Sequence, residues 1–234
     1  MSPERSVFGT LVDAWRITEK DLLVELRTKE IVLTMGYFGF LVVLIFSFAF
    51  FQDGATISSV ASGILWVSIA FAGTLGLGRI FEREREGDCI RALLLSPIPR
   101  PSIYLGKALG VLIFMLVVEA VVVPSVYFFF NLDLDRTRAG VLLLTVLLGT
   151  LGYAIVGTLL AAMLLRARTK DVLLAVVLYP LILPVLIIGV KATGILVQPE
   201  PVWNELSLWL RLLGLYDAVF LVASLWIFEP LLLD

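Results

Sequence analysis

The chain alternates between long runs in which almost every position is apolar and short segments that collect charge, proline and glycine. Six apolar runs stand out, at about Ile31 to Phe51, Ile57 to Gly78, Ile103 to Phe130, Ala139 to Leu165, Val172 to Val190 and Leu212 to Leu233. A run of roughly 20 residues carries an α-helix across a hydrocarbon core about 30 Å thick, at about 1.5 Å per residue. The pattern therefore predicts an all-α, polytopic membrane protein with six transmembrane helices and both termini on one side.

Two further segments have a helical period without being apolar all round. Before the first run, Phe8, Leu11, Val12, Trp15, Leu22, Leu23 and Leu26 recur at helical spacing, with Asp13, Arg16, Lys20 and Arg27 on the other side. That division predicts an amphipathic helix within residues 1–30, lying in the membrane interface either as a lever to a partner or as a passive anchor. Near the C-terminus, Gln198-Pro199-Glu200-Pro201 reads as a turn, and Trp203, Leu206, Trp209 and Leu210 then share one face. They predict a short re-entry helix at the interface ahead of the sixth span. Small residues four apart, Ala70, Thr74 and Gly78 in the second run and Gly157 and Ala161 in the fourth, are spaced for close helix approach, although such residues are also common in membrane helices.

The segment between the second and third runs is of another kind. Glu84 and Arg85 belong to a charged continuation of the second run, and Gly87 interrupts it. Asp88 is placed to cap a new helix, Ile90, Leu93 and Leu94 form an apolar face at i, i+3, i+4, and Pro97 ends it after about two turns. A helix that short does not persist alone in water. Its apolar face calls for a groove on another protein or for the membrane surface.

Composition and charge sharpen this picture. Of 234 residues, 60% are hydrophobic and 16% charged, and the mean hydropathy is +1.01. Five of the 18 Lys and Arg residues precede the first run, six lie from Arg79 to Lys107 and three from Arg166 to Lys170, against two each after the third and fifth runs. Under the positive-inside rule this split of fourteen to four places both termini and the Arg83 to Arg100 loop in the cytoplasm. A net charge of -2 leaves no basic stripe for nucleic acid. The single cysteine, Cys89, excludes an intrachain disulfide, and the absence of histidine removes the commonest ligand of haem iron and transition metals. The first 30 residues lack the compact apolar core and cleavage site of a secretory signal, so the mature chain is expected to start near Met1.

Inside the runs, Glu119 lies near the middle of the third, where an ionised carboxylate costs a few kcal/mol unless paired or protonated. With Pro124, which frees a carbonyl near Ala120, it is a candidate intramembrane switch; the alternative is a protonated glutamate held for packing alone. Asp217, in the first turns of the sixth run, reads as an interfacial charge, and Lys191 as a residue that snorkels to the far interface.

"EREREGDCIRALLLSPIPRPSIYLGKALG" resembles the first cytoplasmic loop of ABC-2 type permeases. "DLLVELRTKE", "FSFAFF", "GILWVSIAFAGTLGLGRIFERE", "LLLSPIPRPSIYLGK", "VVEAVVVPSVYFFFN" and "LYDAVFLVASLWIFEPLLLD" are similar, almost end to end, to the haem exporter B permeases of cytochrome c maturation. The resemblance implies an ABC-2 type permease fold over residues 31–234, with a coupling loop at 79–103 in which Glu84, Arg85, Gly87, Ile90, Leu93, Leu94 and Pro97 meet a partner ATPase. It also implies a permease homodimer in the bacterial inner membrane, working with a cytoplasmic ABC ATPase, a haem-handling membrane subunit and a periplasmic haem chaperone. The chain itself has no G-x-x-x-x-G-K-[ST]; Gly106-Lys107-Ala108 lacks the upstream glycine and the Ser or Thr for Mg²⁺, so ATP and Mg belong to the partner. Haem is expected on partner subunits, because Cys89 is on the loop and Met35, Met115 and Met163 read as core packing. Two other readings stay open: a generic ABC-2 exporter of a lipid-linked or amphipathic solute, and a membrane scaffold without an ATPase.

Overall fold

Apolar side chains without water leave each backbone amide only its own helix as a partner, so the six runs fold as continuous helices. The computed structural model describes residues 7–50, 57–86, 98–164 and 170–231. Among these, α1 (Val7–Thr28) precedes six long helices, α2 (Glu30–Ala49), α3 (Ile57–Glu86), α4 (Arg100–Phe129), α5 (Arg136–Leu164), α6 (Lys170–Val197) and α7 (Trp203–Leu231), and no strand occurs. All of α2 to α7 contain a stretch long and apolar enough to cross a membrane. The chain is a multi-pass, all-helical membrane protein.

Several boundaries differ from the sequence reading. Helix α3 continues to Glu86, in line with a charged continuation that stops at Gly87, and α4 begins at Arg100, so both ends of the 79–103 coupling loop are helical. Helix α6 runs to Val197, which leaves Lys191 exposed well inside a helix. The separate re-entry helix expected at Trp203 to Leu210 does not exist. No proline or glycine interrupts Trp203 to Leu213, so that segment is the first part of α7, and Leu206 and Leu213 are buried on one face seven residues apart.

Helices α3, α4 and α5 form the interior, with 44–67% of their apolar windows buried, against 17–28% for α2, α6 and α7, which surround them. In lipid the helices gain nothing from burying apolar surface as such, so close fit decides how they associate. Trp66 of α3 shows how. Its indole lies against Gly149 of α5 and Gly189 of α6, where any Cβ would collide with the ring, and its Nε1 donates to Thr193 Oγ1 at 3.0 Å. On α3 itself a Cβ at Gly73 would come within 2.7 Å of Tyr153 and 2.8 Å of Met115. Of the small residues singled out in the sequence, Thr74 bonds the Tyr153 hydroxyl at 2.9 Å, the Ala70 carbonyl accepts from Tyr153 at 3.1 Å, and Gly157 seats Leu77. Met35 and Met115 are core residues, but Met163 is 47% exposed.

This packing predicts that Gly149→Leu, which displaces the Trp66 ring, lowers stability by about 1–3 kcal/mol or more, as overpacking does. Gly140→Ala, at a position with open space around it, should leave stability unchanged or slightly higher. Thermal unfolding in mild detergent checks both; equal midpoints for the two variants would contradict the clasp.

Candidate functional site

Of the residues read as the coupling interface, Gly87, Ile90, Leu93, Leu94 and Pro97 lie outside the described residues. Glu84 and Arg85 fall in the last turns of α3, and only their helical backbone is described. What the structure does show is the frame on which that segment hangs: the end of α3, the start of α4, and the two helices packed beside them.

Helix α1 presents three sectors rather than two. Leu11, Trp15 and Leu26 form an exposed apolar face and Arg16, Lys20 and Arg27 an exposed basic one, while Ala14, Ile17, Thr18 and Glu25 are buried. The buried sector lies mainly on α4. Gly106 permits the approach, since a Cβ there would stand 2.7 Å from the Ala14 carbonyl oxygen and 2.9 Å from Ile17 Cβ. Thr18 Oγ1 donates to the Gly106 carbonyl at 2.8 Å. One residue on, Lys107 Nζ donates to Asp21 Oδ2 at 2.6 Å, with the two side chains 5% and 14% exposed, and Lys20 Nζ meets the other Asp21 oxygen at 2.9 Å. Burial screens the pair from salt and makes each partner costly to remove alone.

The step from α1 into the first span is fixed as firmly. Lys29 takes the left-handed conformation, φ 56°, which costs a non-glycine residue about 1 kcal/mol. It makes no side-chain cap for α2; Glu25, buried in α1, reaches across and accepts the Val32 N–H at 2.9 Å. A carboxylate on the free amides of a helix N-terminus is favourable both as a cap and with the helix dipole. Arg79 near the end of α3 adds an exposed pair to Glu30 at 3.3 Å, which contributes little by itself. The starts of α2 and α4, the last turns of α3 and one side of α1 thus meet in one joint.

Sequence reasoning passed over this joint. Lys107 enters that reasoning as one of the cytoplasmic-side charges and as a failed match to a nucleotide-binding pattern, although a lone lysine in an apolar run signals a buried anion nearby. The one polar side it recognised on α1 hid the fact that Asp21 and Glu25, four apart, face protein rather than water.

Deeper in the bundle, Glu119 is 4% exposed and accepts the Thr150 hydroxyl of α5, while its second oxygen has no hydrogen-bond partner. Pro124 lies about 140° round α4 from Glu119 and faces outward, so the two are not brought together. Helix α4 continues through Pro124. Asp217 is not the interfacial charge read from the sequence. Because α7 starts at Trp203, Asp217 falls at the middle of the helix, and it is 5% exposed. Among the described residues no three His, Cys, Asp or Glu side chains group as metal ligands.

The family model described as CcmB protein matches residues 12–227 of this chain. The chain is 30% identical to heme exporter protein B of Pseudomonas aeruginosa, over 79% of its own length and 81% of that protein. It is equally similar, 30% over 78% and 82%, to heme exporter protein B of Bradyrhizobium diazoefficiens, and 27% identical to that of Haemophilus influenzae over 73% and 76%. Both the α1–α4 joint and the segment that follows α3 fall within the matched region, and the chain belongs to the CcmB protein family.

Proposed function

We propose that this chain is the membrane subunit of an ATP-driven haem-export complex, and that the α1–α4 joint carries force from a partner ATPase into the spans. The relatives named heme exporter protein B support the substrate class. The observation that supports the mechanics is the buried Lys107–Asp21 contact, which ties α1 to the first turns of α4, just beyond the segment holding Ile90, Leu93 and Leu94. A push delivered between α3 and α4 reaches α4 first; through Lys107 and Thr18 it takes α1 along, and through Glu25 it tilts α2.

The division of labour follows from what the side chains offer. ATP and Mg are held by the ATPase, and haem takes its axial ligands from partner subunits, because this chain has no histidine and encloses Met35 and Met115 in its core. ATP hydrolysis by the partner is coupled to haem handling or to release of the haem-loaded periplasmic chaperone. Both termini and the 87–99 segment face the cytoplasm, and the permease works as a homodimer in the inner membrane. Lys and Arg distribution supports the orientation.

Replacing Leu93 and Leu94 with Asp should separate the ATPase from the membrane subunit while the permease still inserts; undiminished co-purification would contradict the docking role. Lys107→Met keeps the length of the side chain but strands Asp21. It should cost about 3–5 kcal/mol of stability at the joint and depress cytochrome c maturation more than it depresses ATPase binding. Adding Asp21→Asn to Lys107→Met should recover part of both losses, a coupling read from the double-mutant cycle. Additive losses would show that the two residues do not act as a pair.

A further inference from the structure

Helix α7 is the least buried of the spans, and one narrow stripe, Leu206, Leu213, Asp217, Ser224 and Phe228, is buried along it. An acid therefore stands at the centre of the seam that holds α7. Its place has been cleared on α5: a Cβ on Gly152 would lie 2.5 Å from Asp217 Oδ1 and 3.3 Å from the Tyr216 ring, which stacks on Phe220 at 4.3 Å. Neither Asp217 oxygen has a hydrogen-bond partner, and Ser224 Oγ, seven residues on, has none either.

Among the described residues, the charged and titratable groups that the neighbouring helices bring into the spans either bond elsewhere or are exposed, as Tyr127 of α4 is. From α4, Glu119 accepts from Thr150, Tyr104 donates to the Ile155 carbonyl and Lys107 pairs with Asp21. From α5, Tyr153 is bonded to Thr74 and the Ala70 carbonyl; from α6, Tyr179 accepts from Thr74 and Lys191 is exposed. On α7 itself Tyr216 donates to the Leu181 carbonyl, and Arg211 is exposed. An ionised carboxylate in such a place would lack both water and a counter-charge, the costliest arrangement a membrane interior offers. A neutral acid is tolerated there, and an apolar residue would be cheaper still.

We propose that Asp217 is an intramembrane proton-binding site whose occupied, neutral form closes the seam between α5 and α7. One proton from water adds to the carboxylate when the seam closes. To give it back, the carboxylate must reach water, and α7 must move away from Gly152. The proton is thus a ligand of one conformation only, and it shifts the equilibrium by its difference in affinity for the two. The site rests on α5 and α7 alone and stands apart from the ATPase-coupling reading.

The chain in lipid nanodiscs, treated with dicyclohexylcarbodiimide, tests it. That reagent needs the carboxyl proton, and mass spectrometry locates the adduct. Asp217 should be modified at neutral pH, and at least about threefold less at pH 9. A chain unmodified at Asp217 overturns the proposal. A second measurement uses Ser224→Cys in a Cys89→Ser background, with a maleimide as probe. From pH 6 to pH 9 its modification should accelerate at least about threefold more with Asp217 present than with Asp217→Asn, which cancels the thiol's own titration. The same acceleration in both backgrounds also overturns it.

Discussion

An ammonium group cannot remain inside an apolar bundle without an anion, and Lys107 finds its anion on another helix. Much of the arrangement at this end of the molecule depends on that contact. The pair requires α1 to lie against α4, which in turn requires Gly106, where a side chain would strike the α1 backbone. With α1 held there, Glu25 is in position to cap α2, and Lys29 must take a left-handed turn to join them. A segment that would otherwise be a loosely attached amphipathic helix becomes part of the transmembrane frame. Leu11, Trp15 and Leu26 stay exposed on its apolar face, as an interfacial helix requires.

The same rule governs the polar groups farther in. Where a partner is present, polar atoms fix one helix to another: Trp66 to Thr193, Tyr153 to Thr74, Thr150 to Glu119. Bonds of this kind contribute modestly in lipid, since the separated helices also find partners. Their larger effect is to select one register, because Trp66 fits only where both Gly149 and Gly189 are opposite it. The interior of α3, α4 and α5 is specified in this way, whereas α7 is held by a stripe with an unpartnered acid at its centre.

The spans were legible because hydropathy is local: each run of apolar residues announces its helix without reference to the others. The joint was not, since Asp21 and Lys107 are 86 positions apart: Lys107 stands out in its apolar run, but nothing near it in the sequence names its anion. Asp217 was misplaced for a related reason. Asn204, Glu205, Ser207 and Arg211 give the first turns of α7 an interfacial composition, so apolarity alone starts the span later and puts the acid nearer its end. Glu119 was visible as an acid out of place, but its partner Thr150 belongs to another run and only the packed bundle identifies it.

On the function proposed above, α1 and α4 move as one body when a partner ATPase acts. Pulsed electron-spin distance measurement tests this most directly, with labels at Arg16→Cys on α1 and Val117→Cys on α4 in a Cys89→Ser background, and a companion pair from Arg16→Cys to Trp226→Cys on α7. With the ATPase bound and ATP added, the α1–α4 distance should stay constant while the α1–α7 distance changes. A shift between α1 and α4 as large as that between α1 and α7 would contradict the account.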